Sequence, residues 1–366
     1  MKKLLIYGAG AIGRGYVPWV FPPDQYELTY VESNPTLRDQ LNTQKYFTTY
    51  CTKNDQYHTL KVPIAKCFSP GEELPSLSTY DGIITAVGPR HVQALAPNLA
   101  KATCPIVLFE NDETLTEILQ KLSKNPHIYF GIPDVITSNT APQKLLDKDP
   151  LSIVTENGTC FIDDRAKSLG GNNHYVDKKE LTKQWLAKLY IHNTPHCIAA
   201  YCGSLCHKTY LHEGMQIPQV YDIVKKAMLE MSQMLKIRYH IDTDFIDWYS
   251  EKELSRFANV LLYDPISRVA REPFRKLEPD NRLIGAAQLA LASGVIPHNI
   301  MKGIFAAFLY NKTNDPDFNI TYLVNALTPE NFLKLIIKLN PHEALFKLLV
   351  EAWGPDMTEL KRMQIK

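Results

Sequence analysis

The sequence lacks an excess of charge of either sign: 40 Lys and Arg stand against 39 Asp and Glu, a net charge of +1 over 366 residues. Tracking a nucleic-acid backbone takes a basic surplus, so nucleic acid is not an expected partner. Long apolar runs are missing as well. The charge-free stretch Leu283 to Met301 is interrupted by Gly285, Gln288, Gly294, Pro297, His298 and Asn299, whereas a bilayer span needs ~20 predominantly apolar residues. No membrane association is expected. Met1-Lys2-Lys3 followed by Leu4 to Gly13 imitates a secretory signal, but Arg14 breaks the run and no small-residue cleavage site follows. The seven cysteines are odd in number, scattered from Cys51 to Cys206, and include no C-x2-C pair. Reduced thiols in a cytoplasmic protein are the natural reading, which leaves the Asn157-Gly158-Thr159 sequon without meaning. Internal repeats and low-complexity tracts are also missing.

What is present is an ordinary globular composition, 45% hydrophobic and 22% charged. At roughly 150 residues per domain the length suggests two domains, each able to bury a core. Up to about residue 165, short apolar runs (Leu4 to Tyr7, Leu28 to Val31, Ile83 to Val87, Ile106 to Phe109, Ile128 to Phe130) read as buried parallel strands. Helix-like segments such as Val92 to Lys101 and Glu113 to Leu122 lie between them, so the alternation predicts an α/β domain with a doubly wound sheet. Phe47 to Tyr50 and Thr59 to Val62 predict a small antiparallel excursion. From about Lys178 the period changes to that of helices. Val220, Ile223, Val224, Ala227, Met228, Met231, Met234 and Leu235 recur at helical spacing, and Phe332 to Trp353 behaves similarly around Asn340-Pro341. We therefore expect a Rossmann-like domain over residues 1–174 and an all-helical domain over 175–366, joined through the polar stretch Ser168 to Asn173.

After the first strand comes Gly8-Ala9-Gly10-Ala11-Ile12-Gly13, a G-x-G-x-x-G turn placed where a pyrophosphate can sit on a helix N-terminus. A second strand ends at Glu32, 19 residues beyond Gly13, near the position of a ribose-binding carboxylate. The pattern predicts NAD, held by Gly8, Gly10, Ala11, Ile12, Gly13 and Glu32. Pro18 falls inside the expected first helix, where it removes a backbone donor, so that helix should be short or kinked.

At the start of the helical half stands a K-x4-N-x2-H pattern, Lys188, Asn193 and His196. Alcohol oxidation without a metal needs a neutral amine to take the hydroxyl proton and donors to hold the alkoxide, and these residue types supply both. A surface lysine with polar neighbours is the bland alternative. Cys197, Cys202, Cys206, His207 and His212 crowd together just afterwards, but helical positions would turn several of them apart, so no metal is expected and small core residues are. The methionine stripe reads as helix packing.

Gly8 to Gly15 with Arg14, Thr85-Ala86-Val87-Gly88-Pro89, Glu110-Asn111, the Lys188/Asn193/His196 pattern with Ala200-Tyr201, and Arg268 to Leu283 occur in this order along nearly the whole chain. Together they resemble the polyol-specific long-chain dehydrogenases of the mannitol dehydrogenase family. The resemblance implies interconversion of mannitol 1-phosphate and fructose 6-phosphate with NAD and no metal; a monomer or small homo-oligomer is expected. Carried over by position, it makes Lys188 the general acid/base, Asn111 and Asn193 the oxyanion site and His196 the group that orients substrate. It adds Thr85, Val87, Gly88 and Glu110 to the cofactor site. It also favours Arg271, Arg275 and Lys276 as holders of the substrate phosphate over a solvated basic face paired with Glu272, Glu278 and Asp280. One departure stands out. Ser138-Asn139 replace a charged Asp-Arg pair found a few residues before a proline in the family, which leaves open a different polyol or sugar-acid substrate. An NAD-binding sensor without turnover is the other alternative, although such a protein has no need of Lys188, Asn193 and His196 together.

Glu32 would face the added phosphate of NADP with no compensating cation nearby in sequence, since Ser33 and Asn34 carry no charge. NAD is predicted to be used and NADP poorly. Comparing kcat/KM for the two cofactors checks this, and equal values would remove Glu32 from the cofactor site.

Overall fold

The computed structural model describes residues 1–279, 281–311 and 319–364. Its contacts divide it into two compact units, Met1–Trp185 with Leu261–Tyr263, and Leu186–Val260 with Asp264–Lys366. The first unit carries eleven strands: β1 (Lys2–Tyr7), β2 (Tyr26–Val31), β3 (Tyr46–Lys53), β4 (Gln56–Pro63), β5 (Cys67–Phe68), β6 (Gly82–Thr85), β7 (Ile106–Leu108), β8 (Ile128–Asp134), β9 (Ile153–Glu156), β10 (Thr159–Asp163) and β11 (His174–Val176). Eight form one sheet in the order β11-β10-β8-β7-β6-β1-β2-β5. The pairings from β5 through β8 are all parallel, and β10 joins antiparallel. Read from β5 to β8, the six parallel strands follow the doubly wound dinucleotide-binding order, which reverses direction beside β1.

This sheet is buried on both faces, as its continuous apolar strands require. Successive side chains of a strand point to opposite faces. Accordingly Leu4 and Ile6 of β1 join a core with Leu28, Tyr30, Ile84 and Val107, while Leu5 and Tyr7 join another with Val31, Ile83, Ile106 and Leu108. The antiparallel excursion is present as β3 and β4, in a register pairing Phe47 with Val62 and Tyr50 with Thr59. Asn54 and Asp55 turn the hairpin with φ of 51° and 55°, the left-handed pair that a two-residue turn between twisted strands demands. β9 adds to β3 in parallel and makes this a three-stranded sheet.

Three expectations are corrected here. The stretch Ser168 to Asn173 does not lead into the helical half: a short helix (Asp164–Leu169) and a glycine turn return the chain to β11 at the sheet edge. The next helix, Lys178–Ala187, begins in the first unit, where Trp185 meets Phe130 edge-on at 5.2 Å. The compact units accordingly divide after Trp185 rather than after residue 174. Expected strand Ile83 to Val87 ends at Thr85, because the amides of Val87 and Gly88 turn away from the sheet to the Glu110 carboxylate. The shortened first helix does occur. Ala11–Tyr16 is a π-turn and the α-helix after it covers only Val17–Val20, with Pro18 in its first turn where a missing donor costs little.

The second unit is helical. Its centre is the helix Thr194–Leu205, every residue of which is buried. Such a helix must be apolar or small all round to be covered. Gly303 lets Ile198 approach so closely that an added Cβ would lie 2.4 Å from Ile198 Cγ1, and at Gly203 a Cβ would lie 2.8 Å from Ile266 Cδ1. The helix Pro218–Tyr239 buries the expected stripe from Val220 to Leu235. Buried among these methionines, Glu230 accepts from the Asn299 and Ile300 amides at 2.9 and 3.1 Å. A carboxylate at that place satisfies the exposed N–H groups that open the helix His298–Phe308. Phe332 to Trp353 is not one helix. A π-turn (Phe332–Ile336) and the Asn340-Pro341 loop precede a long helix, Ala344–Met363. Among the described residues no helix is long and apolar enough to cross a membrane, and all seven cysteines are free.

Phe308 is fully buried, its ring 4.9 Å from that of Phe332 and 5.5 Å from that of Trp353. Phe308→Ala should cost about 3–5 kcal/mol through lost burial and the remaining cavity, read as a lowered midpoint of chemical denaturation.

Candidate active site

The glycine turn lies at the end of β1, where the strand order reverses. Gly8 has φ +97°, and a Cβ there would sit 2.5 Å from the Ala86 carbonyl oxygen. At Gly13 a Cβ would fall 1.9 Å from the Gly8 oxygen, so only glycine allows the first turn of helix to close on the strand. Gly10 meets nothing within 4 Å; it is the position where the dinucleotide fingerprint needs backbone open to a pyrophosphate. Ala11 and Ile12 begin the π-turn just beyond it. Arg14, buried in that turn, donates to the Ala9 carbonyl at 2.6 Å and to Leu151 at 2.7 Å, which pins the loop from behind. Glu32 is buried at the end of β2, and its carboxylate accepts from the Ala9 amide and the Asn34 amide, each at 2.8 Å. A carboxylate offers about four acceptor sites, which leaves room for a ribose hydroxyl. These residues fit a dinucleotide.

Across the switch point, Glu110 is bonded to the loop after β6. Its two oxygens accept from the Val87 and Gly88 amides at 3.0 and 2.8 Å, and burial raises its pKa despite these bonds. The carboxylate shapes the loop after Thr85, in which Gly88 takes φ +90°. Asn111, next in the chain, is exposed.

In the second unit, Lys188–Asn193 forms a π-turn that runs directly into the helix Thr194–Leu205. This matters for the K-x4-N spacing. With 3.6 residues per turn, an α-helix would splay positions five apart to different faces, whereas the i→i+5 repeat of a π-turn stacks them. Lys188 and Asn193 are both buried, and the Asn193 Nδ2 has no hydrogen-bond partner. A buried amide donor left unmatched costs free energy unless a ligand takes it.

His196 Nε2 lies 3.0 Å from Asp264 Oδ2, and Arg268 Nε donates to the other Asp264 oxygen at 2.9 Å. Burial pushes the Asp264 carboxyl up, but Arg268 and His196 outweigh it and hold it below its usual range. An ionised Asp264 can only accept, so Nε2 carries the proton and Nδ1 is left as the ring's acceptor. The ring stacks on Phe257 at 5.1 Å and lies 4.9 Å from that of His192, which is bonded to the fully buried Glu253. Glu253 and Asp264, the partners of His192 and His196, were not anticipated: single carboxylates distant in sequence give no periodic signal.

The cationic residues need a correction. Arg271 ends one short helix (Ile266–Ala270), Glu272 takes a left-handed conformation at φ 56°, and Pro273 opens the next helix, Pro273–Lys276. A residue before proline is driven from the helical region, so Arg271 and Arg275 do not share one helix face. Arg271 is exposed. Lys276 is buried, donates to the Arg271 carbonyl and lies over the Tyr201 ring at 5.7 Å. Arg275 bonds Glu272 at 3.2 Å. Glu278 is exposed and Asp280 lies outside the described residues. Ser138, at the departure noted above, donates to the Tyr263 carbonyl at 3.0 Å and so ties Leu261–Tyr263 to the first unit. Among the described residues, no three His, Cys, Asp or Glu side chains gather as a metal site.

Two family descriptions match the chain, the mannitol dehydrogenase Rossmann domain over residues 2–118 and the mannitol dehydrogenase C-terminal domain over residues 181–345. The chain is an oxidoreductase of the mannitol dehydrogenase family. Within the family it is 27% identical to a mannitol-1-phosphate 5-dehydrogenase of Caldanaerobacter subterraneus subsp. tengcongensis, covering 90% of this chain and 94% of that protein. A mannitol-1-phosphate 5-dehydrogenase of Thermoanaerobacter pseudethanolicus is 28% identical over 86% of this chain and 88% of its own. Of solved structures, the Pseudomonas fluorescens mannitol 2-dehydrogenase ternary complex with NAD and D-mannitol shares the fold, with a TM-score of 0.78 at 16% identity over 100% of this chain and 94% of that one.

Burial lowers the His196 pKa below the usual 6.5. Between the two values the unfolded chain binds a proton that the folded chain does not, so stability falls as the pH drops through that window. His196→Gln should lose less stability than the unaltered protein between pH 7 and 5.5, measured by chemical denaturation. Equal losses would mean that His196 is not held neutral.

Proposed function

We propose that the protein interconverts mannitol 1-phosphate and fructose 6-phosphate with NAD as the cofactor. The observation that carries the reading is the π-turn, whose two ends are a buried lysine and a buried asparagine whose amide donor lacks a partner. It is supported by the two mannitol-1-phosphate 5-dehydrogenases, which match most of this chain and most of their own length. NAD, when bound, supplies the hydride acceptor. Gly8, Gly10, Ala11, Ile12 and Gly13 would hold its pyrophosphate and Glu32 its ribose, with Thr85, Val87 and Gly88 forming the loop that Glu110 shapes. Lys188, as the neutral amine, takes the proton of the reacting hydroxyl in oxidation and returns it in reduction. Asn193 Nδ2 donates to the oxygen on which charge develops, and Asn111 is assigned as a second amide donor on the strength of the family motif. His196, fixed by Asp264, accepts at Nδ1 from a substrate hydroxyl and orients the polyol.

Lys188→Ala should slow turnover by roughly 10²- to 10⁴-fold, the usual worth of a positioned acid/base, while cofactor affinity read by fluorescence titration stays nearly intact. A variant that retained full turnover of mannitol 1-phosphate would remove Lys188 from the mechanism.

A further inference from the structure

Arg282 lies six residues beyond Lys276 and is partly buried. Its Nε is buried without a hydrogen-bond partner. Two bonds fix where this segment returns: the Leu283 amide donates to the Lys276 carbonyl at 3.3 Å, and Thr194 Oγ1 donates to the Arg282 carbonyl at 2.8 Å. The second attaches Arg282 to the residue that follows Asn193. Among the described residues, cations outnumber carboxylates around it. Arg275 and Arg282 both act on Lys276, and burial together with Arg282 drives the Lys276 ammonium well below its ordinary pKa. Burial pulls the Arg282 guanidinium down too, with Arg275 adding to the effect. Cys197, one turn along the same helix from Asn193, senses all three cations. Glu272 bonds Arg275. Among the described residues, three basic side chains gathered against one carboxylate is a costly arrangement for a protein to hold, and an anion among them relieves it.

We propose that Arg282, with Arg275 and Lys276, binds a phosphomonoester dianion, and that Arg282 is the residue that makes the enzyme prefer a polyol phosphate to a free polyol. This rests on the phosphate-ester reading of the function. A guanidinium presents its donors as a planar fork that matches two phosphate oxygens. Arg282 has the unmatched Nε, whereas Arg275 has already spent its Nε on Glu272. Arg271, exposed and on a different helix from Arg275, is not part of this set.

The test uses the full-length enzyme and Arg282→Gln. Loss of a charge-assisted contact to phosphate should raise KM for mannitol 1-phosphate on the order of tenfold to a hundredfold, well beyond any change in KM for mannitol. Separately, inorganic phosphate, against sodium chloride of equal ionic strength, should raise the Tm of the unaltered enzyme and not that of the variant. Equal phosphate stabilisation of both proteins, with the KM for the ester unmoved, overturns the assignment while leaving the proposed reaction in place. An unaltered enzyme that turns over mannitol as well as its phosphate, yet shows the Arg282-dependent rise in Tm, overturns the proposed substrate and upholds the anion site. Should Arg282→Gln fail to fold, Arg282→Lys carries the test. It keeps the charge without the fork, so its KM for the ester should lie above that of the unaltered enzyme, and an unchanged KM again overturns the proposal.

Discussion

The close approach of the glycine turn to β1 is the constraint on which the first unit depends. Gly13 packs against the Gly8 carbonyl and Gly8 against the Ala86 carbonyl, each at a distance that no Cβ permits. The parallel strands β1, β2 and β6 diverge at this point, and their loops would be free to move without ties. Buried carboxylates supply them. Glu32 joins the end of β2 to the Ala9 amide, and Glu110 joins the end of β7 to the Val87 and Gly88 amides. Arg14 closes the arrangement on the opposite side through the Ala9 and Leu151 carbonyls. In a buried setting each bond also prevents a backbone group from going unsatisfied, so the same bonds that shape the cofactor loops protect the fold.

In the second unit the fully buried helix Thr194–Leu205 plays the corresponding part. Glycines on its neighbours and on its own face let other helices come close. Its N-terminal end carries the polar chemistry, and the π-turn before it is the device that aligns Lys188 with Asn193. Polar side chains in so dense a setting need partners, and they form ordered pairs: His196 with Asp264, Asp264 with Arg268, His192 with Glu253, Glu253 with Arg256. Pairing holds each imidazole in one orientation, which is what substrate positioning requires.

The parallel strands, the antiparallel excursion of Phe47 to Tyr50 with Thr59 to Val62, the dinucleotide fingerprint and the helical period from Val220 to Leu235 were legible in the sequence, because each rests on local periodicity or on a backbone conformation that few residues accept. Lys188, Asn193 and His196 could be picked out by residue type and by family resemblance. Their alignment could not, since α and π turns are written in the same amino acids and only the surrounding packing selects between them. Tertiary structure alone decided that Ser168 to Asn173 returns to the sheet, that Glu110 serves its neighbouring loop, that Asp264 fixes His196, and that Arg271 and Arg275 fall on separate short helices. The reason is the same in each case. A hydrogen bond between residues distant in sequence leaves no pattern along the chain, and it exists only once the fold has placed the two groups in a shared, water-poor space.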